Sequence, residues 1–311
     1  MHEPLYLQLY REGELARRVK EAVGLLRECH LCPRECGVDR LSNEKGYCRT
    51  GRKAMVASFN PHFGEEAPLV GRFGSGTIFF SSCNLRCSFC QNYEISHLRE
   101  GAEVETEDLA AIMIQLANRG CHNINLVTPT HVVPQILEAL LLAVENGLAL
   151  PIVYNCSGYE RVETLKLLRG VIDIYMPDFK FWDTRWAERY CNAPDYREKA
   201  VSAFKEMHEQ VGDLEIDENG IAQRGLLVRH LVMPRDIAGT KEVMEFISKE
   251  ISPNTYVNVM DQYRPCGTAH EDQFISRGLS GSEYATALES ARNAGLKRLD
   301  QRQGLRLFFR I

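Results

Sequence analysis

Residues 77–92 read TIFFSSCNLRCSFCQN. The opening run is β-branched and aromatic, as a buried strand requires. It leads directly into Cys83, Cys87 and Cys90, spaced C-x3-C-x2-C. Three thiolates ligate three irons of a four-iron, four-sulfur cluster and leave the fourth iron without a protein ligand, whereas electron-transfer clusters are commonly held by four cysteines. Structural zinc sites also take four ligands, often as two C-x2-C pairs. An open iron at the exit of a strand is a coordination site for a small molecule.

From Gly76 onward short β-branched or aromatic runs alternate with longer helical patterns. The strand candidates are 77–81, 124–127, 152–155, 172–176, 226–232 and 256–259, with helical patterns at 106–119, 133–147, 159–169, 194–211, 239–250 and 281–295. Such alternation implies parallel strands joined by crossover helices, in an α/β fold that is either doubly wound or a full or partial barrel. Residues 214–224, with DENG between two short runs, read as a hairpin leading into the fifth of these strands. The chain divides into an N-terminal helix and cysteine-rich metal-binding extension (1–75), the repeating body (76–300) and a C-terminal strand or tail (301–311). In the extension, Leu15, Val19, Ala22, Val23 and Leu26 recur near helical spacing, and the stretch before Gly76 holds short strand-like pieces and turns.

At 311 residues, 44% hydrophobic and 25% charged, the chain has the composition of a folded globular protein. A net charge of -5 gives no general attraction to nucleic acid or anionic lipid, so neither is an expected partner. The most apolar helical stretch, around Ile136 to Val144, is too short for a membrane span and carries Glu138. The amino terminus lacks a signal-peptide pattern, and the cytoplasm is the expected location. Disulfides are disfavoured there, so clusters among the eleven cysteines read as metal ligands.

A second cluster precedes the first. Cys29, Cys32, Cys36 and Cys48, in CHLCPRECGVDRLSNEKGYC, are spaced C-x2-C-x3-C-x11-C and suffice to close a complete site, either structural zinc or a second iron-sulfur centre. Cys121, Cys156, Cys191 and Cys266 lack ligand spacing and read as buried small apolar groups. Cys266, just beyond the sixth strand, is nonetheless a candidate catalytic thiol at the substrate mouth. His62, Glu65 and Glu66, in HFGEEAP, form either a solvated turn or a group for substrate contact and proton transfer. His131 and His230 read as packed histidines, and Phe179, Phe181, Trp182 and Trp186 as an aromatic packing patch.

The C-x3-C-x2-C array, with Phe89 before its last cysteine, resembles the defining motif of the radical S-adenosylmethionine (SAM) superfamily. That resemblance implies a partial (β/α)6 TIM-like barrel with SAM bound across the carboxyl ends of the strands. The open iron would chelate the amino and carboxylate groups of SAM, and one electron would cleave it to a 5'-deoxyadenosyl radical. More narrowly, TIFFSSCNLRCSFCQNYEIS, MPDFKF and GLLVRHLVMP resemble pyruvate formate-lyase activating enzymes and their uncharacterised relatives, over about residues 62–300. By that similarity Phe89 lies near the adenine, and Asp178, Lys180 and Arg229 contact SAM. Asn155 and Ser157 would hold the ribose, unless they cap the next helix. Where activating enzymes carry Gly-Gly-Glu, this chain has LVTPTH, so Thr128 and Thr130 stand in for the acid with carbonyls and hydroxyls.

The implied activity is hydrogen-atom abstraction from a substrate, a glycine of a partner enzyme if kinship extends to function. A reductant such as flavodoxin or ferredoxin would supply the electron. Modification of a small molecule or another peptide residue is the alternative within the superfamily. A non-catalytic iron-sulfur electron carrier is the alternative outside it.

Overall fold

The computed structural model describes residues 3–300, so the expected tail at 301–311 lies outside the described residues. Its strands are β1 Ala54–His62, β2 Ser75–Phe80, β3 Ala102–Val104, β4 Ile124–Val127, β5 Ile152–Cys156, β6 Ile174–Pro177, β7 Glu215–Ile216, β8 Ala222–Leu231, β9 Tyr256–Met260 and β10 Arg298–Leu299. The helices are α1 Leu5–Arg11, α2 Glu14–Gly24, α3 Ala67–Val70, α4 Tyr93–Ser96, α5 Thr106–Asn118, α6 Val133–Glu145, α7 Val162–Leu167, α8 Thr184–Cys191, α9 Tyr196–Val211, α10 Thr240–Phe246 and α11 Gly281–Asn293.

The six strands expected from the alternation are β2, β4, β5, β6, β8 and β9, and they pair in that order, all parallel. The result is a mixed α/β fold with a mostly parallel sheet, a partial (β/α)6 barrel. Side chains alternate across it as a pleated sheet requires. Ile78, Leu126, Tyr154, Tyr175, Val228 and Val257 belong to the core shared with the helices, while Val153, Ile174, Met176 and Leu227 form a separate cluster on the other face. Further along the strands toward their carboxyl ends the inner positions turn polar, with Asn155, Asp178 and Arg229.

Two departures from the sequence expectation bear on the site. The segment before Gly76 forms a nine-residue strand, β1, antiparallel to β2, and β3 adds antiparallel to β1. Pro61 and a bulge between Val56 and Ser58 break up its sequence pattern. The region before residue 194 contains a helix, α8, whose first turn is capped by the Asp183 side chain accepting from the Arg185 N–H. Asn192, left-handed at φ 49°, ends α8 and lets α9 start in a new direction. The hairpin expected at 214–224 is present as β7 against β8. No helix among the described residues is long and apolar enough to cross a membrane.

Residues 29–48 contain neither helix nor strand. The helices before them dock on the barrel body: the Tyr6 hydroxyl donates to the Leu150 carbonyl at 2.8 Å, and the Leu5 N–H donates to Asp173 Oδ1 at 3.0 Å.

Candidate active site

The loop leaving β2 is held by its surroundings. The Ser82 N–H donates to Ile95 O at 2.8 Å, the Ser88 N–H to Tyr190 O at 2.8 Å, and the Thr268 N–H to Ser88 O at 3.0 Å. These contacts turn Cys83, Cys87 and Cys90 into one cleft at the carboxyl ends of the strands. Burial pushes the Cys83 thiol up to about 12. Cys87 is raised as well, by contact with Cys191 and by burial, and Cys90 by burial. Such thiols stay protonated at neutral pH unless a metal takes the proton's place, as ligation does.

The same cleft is lined by Phe89, Thr128, Asn155, Ser157, Asp178, Lys180 and Arg229, so most of the residues expected at the cofactor converge. Phe89 is fixed by edge-on contacts to Phe181 (5.7 Å) and Tyr190 (6.2 Å). The Ser157 hydroxyl is buried with no partner. A buried polar atom without a hydrogen bond is costly, and in a cleft it marks where a ligand group belongs. Gly158 adopts φ 75°, and a Cβ there would sit 2.6 Å from the Asp178 carbonyl oxygen. Only glycine lets the ends of β5 and β6 approach this closely.

Asp178 accepts from Lys180 Nζ at 2.7 Å and from Arg229 Nε at 3.1 Å. Burial would raise its pKa, but the two cations outweigh it and hold the carboxyl below the ordinary range. Arg229 also donates to Glu65 Oε2 at 3.2 Å and stands 3.8 Å from Glu66 Oε1. Glu66 is buried, which raises its pKa against the opposing pull of Arg229, and it accepts from Asn258 Nδ2 at 2.7 Å. The HFGEEAP segment is therefore no solvated turn, since both glutamates lie behind the strand-borne arginine.

Thr130 is not in the cleft. It is fully buried and its hydroxyl donates to Glu160 Oε1 at 2.5 Å, with the Tyr154 hydroxyl donating to Oε2 at 3.0 Å. The pull on Thr130 is the need of a buried carboxyl for donors. Burial raises the Glu160 pKa to about 7, against the hydrogen bonds that lower it. An acid whose folded pKa lies above its ordinary 4.5 stabilises the fold most at low pH and loses that contribution as pH rises through about 7. Glu160→Gln is therefore expected to flatten the pH dependence of denaturant midpoints between pH 4.5 and 7. An unchanged slope would assign that slope to other groups.

Cys266 follows β9 but does not line the cleft; its segment packs on the cluster loop through Thr268. Cys191, read from sequence as an isolated thiol, lies with its Sγ 3.3 Å from that of Cys87. No spacing rule reveals a contact between residues 104 apart. His230 is a packed histidine: its Nδ1 donates to Phe179 O at 2.7 Å and its Nε2 accepts from Thr240 Oγ1 at 3.0 Å. Burial lowers its pKa to about 4 and keeps it neutral.

Cys29, Cys32, Cys36 and Cys48 line a second, smaller cavity together with Arg40 and His131. Gly46 makes room there, since a Cβ would fall 2.7 Å from Cys36 Sγ. Among the described residues no three metal-binding side chains stand placed to share a single ion; in both cysteine groups the sulfurs surround a cavity instead.

Residues 77–216 match the family model described as the radical SAM superfamily. An uncharacterised protein of Methanocaldococcus jannaschii is 33% identical over 268 residues, 83% of this chain and 72% of that protein. The chain belongs to the radical SAM superfamily. The crystal structure of methylornithine synthase (PylB) aligns with a TM-score of 0.47 and 19% identity, over 72% of this chain and 69% of that one. Membership in the radical SAM superfamily implies a four-iron, four-sulfur cluster and SAM. The cleft fits both: three thiols for three irons, paired charges and an unpartnered hydroxyl beside them.

Proposed function

We propose that this radical SAM enzyme is of the activating kind, directing a 5'-deoxyadenosyl radical at a backbone glycine of a partner protein. The observation that carries the SAM chemistry is the meeting of Cys83, Cys87 and Cys90 with Asp178, Lys180, Arg229 and the unpartnered Ser157 hydroxyl in one cleft. When bound, the cluster supplies the electron that breaks a carbon-sulfur bond of SAM. Lys180 and Arg229 present positive charge to the methionyl carboxylate, and Asp178 meets the ammonium. Phe89 offers its ring to the adenine. Asn155 and Ser157 hydrogen-bond the ribose, while Thr128 closes the end of β4. The rim carries exposed Gln91 and Asn92, with Leu98 nearby 62% exposed, a border suited to an incoming polypeptide. A flavodoxin- or ferredoxin-type carrier delivers the electron, in the cytoplasm.

Anaerobic reconstitution with iron and sulfide, then SAM and dithionite, should yield 5'-deoxyadenosine. No product from protein with its cluster intact would overturn the SAM chemistry. Peptides with α-deuterated glycine test the target separately. Deuterium in the 5'-deoxyadenosine supports a glycine, and its absence alongside SAM cleavage turns the cleft toward a small molecule.

The four N-terminal cysteines form a second metal centre in this reading. Arg40 is 1% exposed, and among the described residues its bonds run to carbonyls and a sulfur rather than to a carboxylate. Its guanidinium lies 3.8 Å from Cys29 Sγ and donates otherwise to carbonyls of Gly51 and His131. A buried cation calls for an anion, and metal-bound thiolates supply one. Sulfurs arranged around a cavity suit an iron-sulfur cluster, each iron taking one sulfur, better than an ion about 2.3 Å from all four. Elemental analysis of Cys87→Ala protein, in which the cleft cluster is disabled, is expected to find iron and sulfide retained; zinc in their place would make the centre structural.

A further inference from the structure

We propose that the N-terminal metal centre braces the cluster loop, so that metal at Cys29, Cys32, Cys36 and Cys48 determines whether Cys83, Cys87 and Cys90 hold a cluster in the geometry that binds SAM. The inference rests on the four-cysteine reading given above and adds to it a role and the residues that perform it.

Two struts join the centres. The first is Arg34, which lies between Cys32 and Cys36. Its Nε donates to Asn84 O at 2.9 Å, its Nη2 to Cys191 O at 2.8 Å and to Leu85 O at 3.5 Å, and its Nη1 to Asn192 O. Asn84 and Leu85 are residues of the loop between Cys83 and Cys87, and the Cys191 thiol touches Cys87. The Arg34 guanidinium also stacks on the ring of Tyr47, next to Cys48, at 3.9 Å, and Arg86 approaches the same ring at 5.5 Å. Arg34, between two N-terminal cysteines, thus grips the backbone between two cleft cysteines, while Tyr47, beside a third, packs on its guanidinium.

The second strut is Arg40, beside Cys29. Its Nη1 donates to His131 O at 2.8 Å, and His131 Nε2 donates to Ser81 O at 2.9 Å, two residues before Cys83. Nδ1 of His131 is buried without a partner, and this residue lines the four-cysteine cavity. An orphaned acceptor beside four thiols is a second sign that the cavity takes a ligand.

The cluster loop needs such support. Ser82 (φ 75°) and Arg86 (φ 53°) are left-handed without being glycine, each at a cost of about 1 kcal/mol that surrounding contacts must hold in place. Residues 29–48 have no helix or strand; a small cluster of Leu26, Cys29 and Leu31, with Leu25, Val38 and Leu41 packed on it, and bonds from Arg161 to His30 O and Thr164 to Leu31 O hold them. Bound metal would cross-link the four cysteines and add the stiffness such a segment lacks. Arg34 is then a positioning residue: it touches the loop backbone rather than SAM.

The test uses the full chain, reconstituted anaerobically with iron and sulfide. Its readout is the change that SAM produces in the electron paramagnetic resonance spectrum of the reduced cleft cluster, with iron per chain measured alongside. Arg34→Gln leaves all seven thiols in place and should keep metal at the N-terminal centre, as measured in the Cys87→Ala background. It should nonetheless need about 10- to 100-fold more SAM for the same spectral change, the usual loss when a supporting contact of a metal site is removed. Arg34→Lys, which keeps the charge over Tyr47 but not the fork of donors, should fall between. The double variant Cys36→Ser/Cys48→Ser should lose cleft iron as well. If Arg34→Gln responds to SAM as the parent does while its N-terminal metal is retained, the brace is refuted and the metal centre stands. If Cys87→Ala protein holds no metal, the four-cysteine reading fails and the brace with it.

Discussion

Cys87→Ala should reduce 5'-deoxyadenosine formation to background while leaving the protein folded and its N-terminal metal in place. Each of Cys83, Cys87 and Cys90 takes one iron in the proposed site, so losing one detaches an iron rather than weakening a contact. Two further thiols stand near: Cys156 lines the same cleft, and the Cys191 sulfur lies 3.3 Å from that of Cys87. The double variant Cys87→Ala/Cys191→Ala removes the thiol in contact with Cys87. Residual cleavage by the single variant that disappears in the double would make Cys191 a rescuing ligand. Full activity in both would mean that Cys87 does not hold the cluster. Either assay is read by chromatography of the nucleoside after anaerobic incubation with SAM and dithionite.

Arg229→Met should have the second largest effect, and on stability as well as SAM binding. The arginine bonds Asp178 at 3.1 Å and Glu65 at 3.2 Å, and stands near Glu66. Removing one partner of a buried ion pair typically costs about 3 to 5 kcal/mol, and the lower end applies because Lys180 still pairs with Asp178. The pH dependence has a definite sign. Asp178 titrates below its ordinary 3.8, so its contribution is present above that value and is lost as pH falls through the folded pKa. Glu66 is raised above 4.5, so it favours the fold at low pH and loses that effect as pH rises. Without Arg229 both acids take up protons more readily, and the deficit between variant and parent should shrink from pH 7 to pH 5. Denaturant melts at the two pH values measure it. A deficit that grows on acidification would remove the carboxylates from the explanation. Arg229→Met/Glu65→Gln should recover part of the loss, since neighbouring charges couple.

The parallel strands were legible because strands buried on both faces read as near-continuous apolar runs, as at Ile124–Val127 and Ile152–Cys156, each broken by a single asparagine. The short α8 was read instead as part of an aromatic packing patch, although Ala187, Tyr190 and Cys191 fall on one helical face after the Asp183 cap, because eight residues make too short a period to stand out. Within the site, Asp178 and Lys180 were legible as neighbours two residues apart. The role of Glu65 and Glu66 was not, since their partner lies 164 residues away. Thr130 was assigned to the cleft by its place in LVTPTH, yet the buried Glu160 draws its hydroxyl elsewhere.

By itself the sequence determined that three thiols stand together beside the barrel. Cys83, Cys87 and Cys90 fall within one short loop, and a chain that advances at most about 3.6 Å per residue keeps them together whatever the rest of the fold does. Which charges line the cleft, which thiol stands against Cys87 and which arginine ties the two cysteine groups together were decided only by the tertiary structure. Hydrogen bonds and ion pairs act over about 3 Å, and only the packed barrel brings residues 50 to 164 apart, such as Arg34 with Asn84 and Arg229 with Glu65, to that distance.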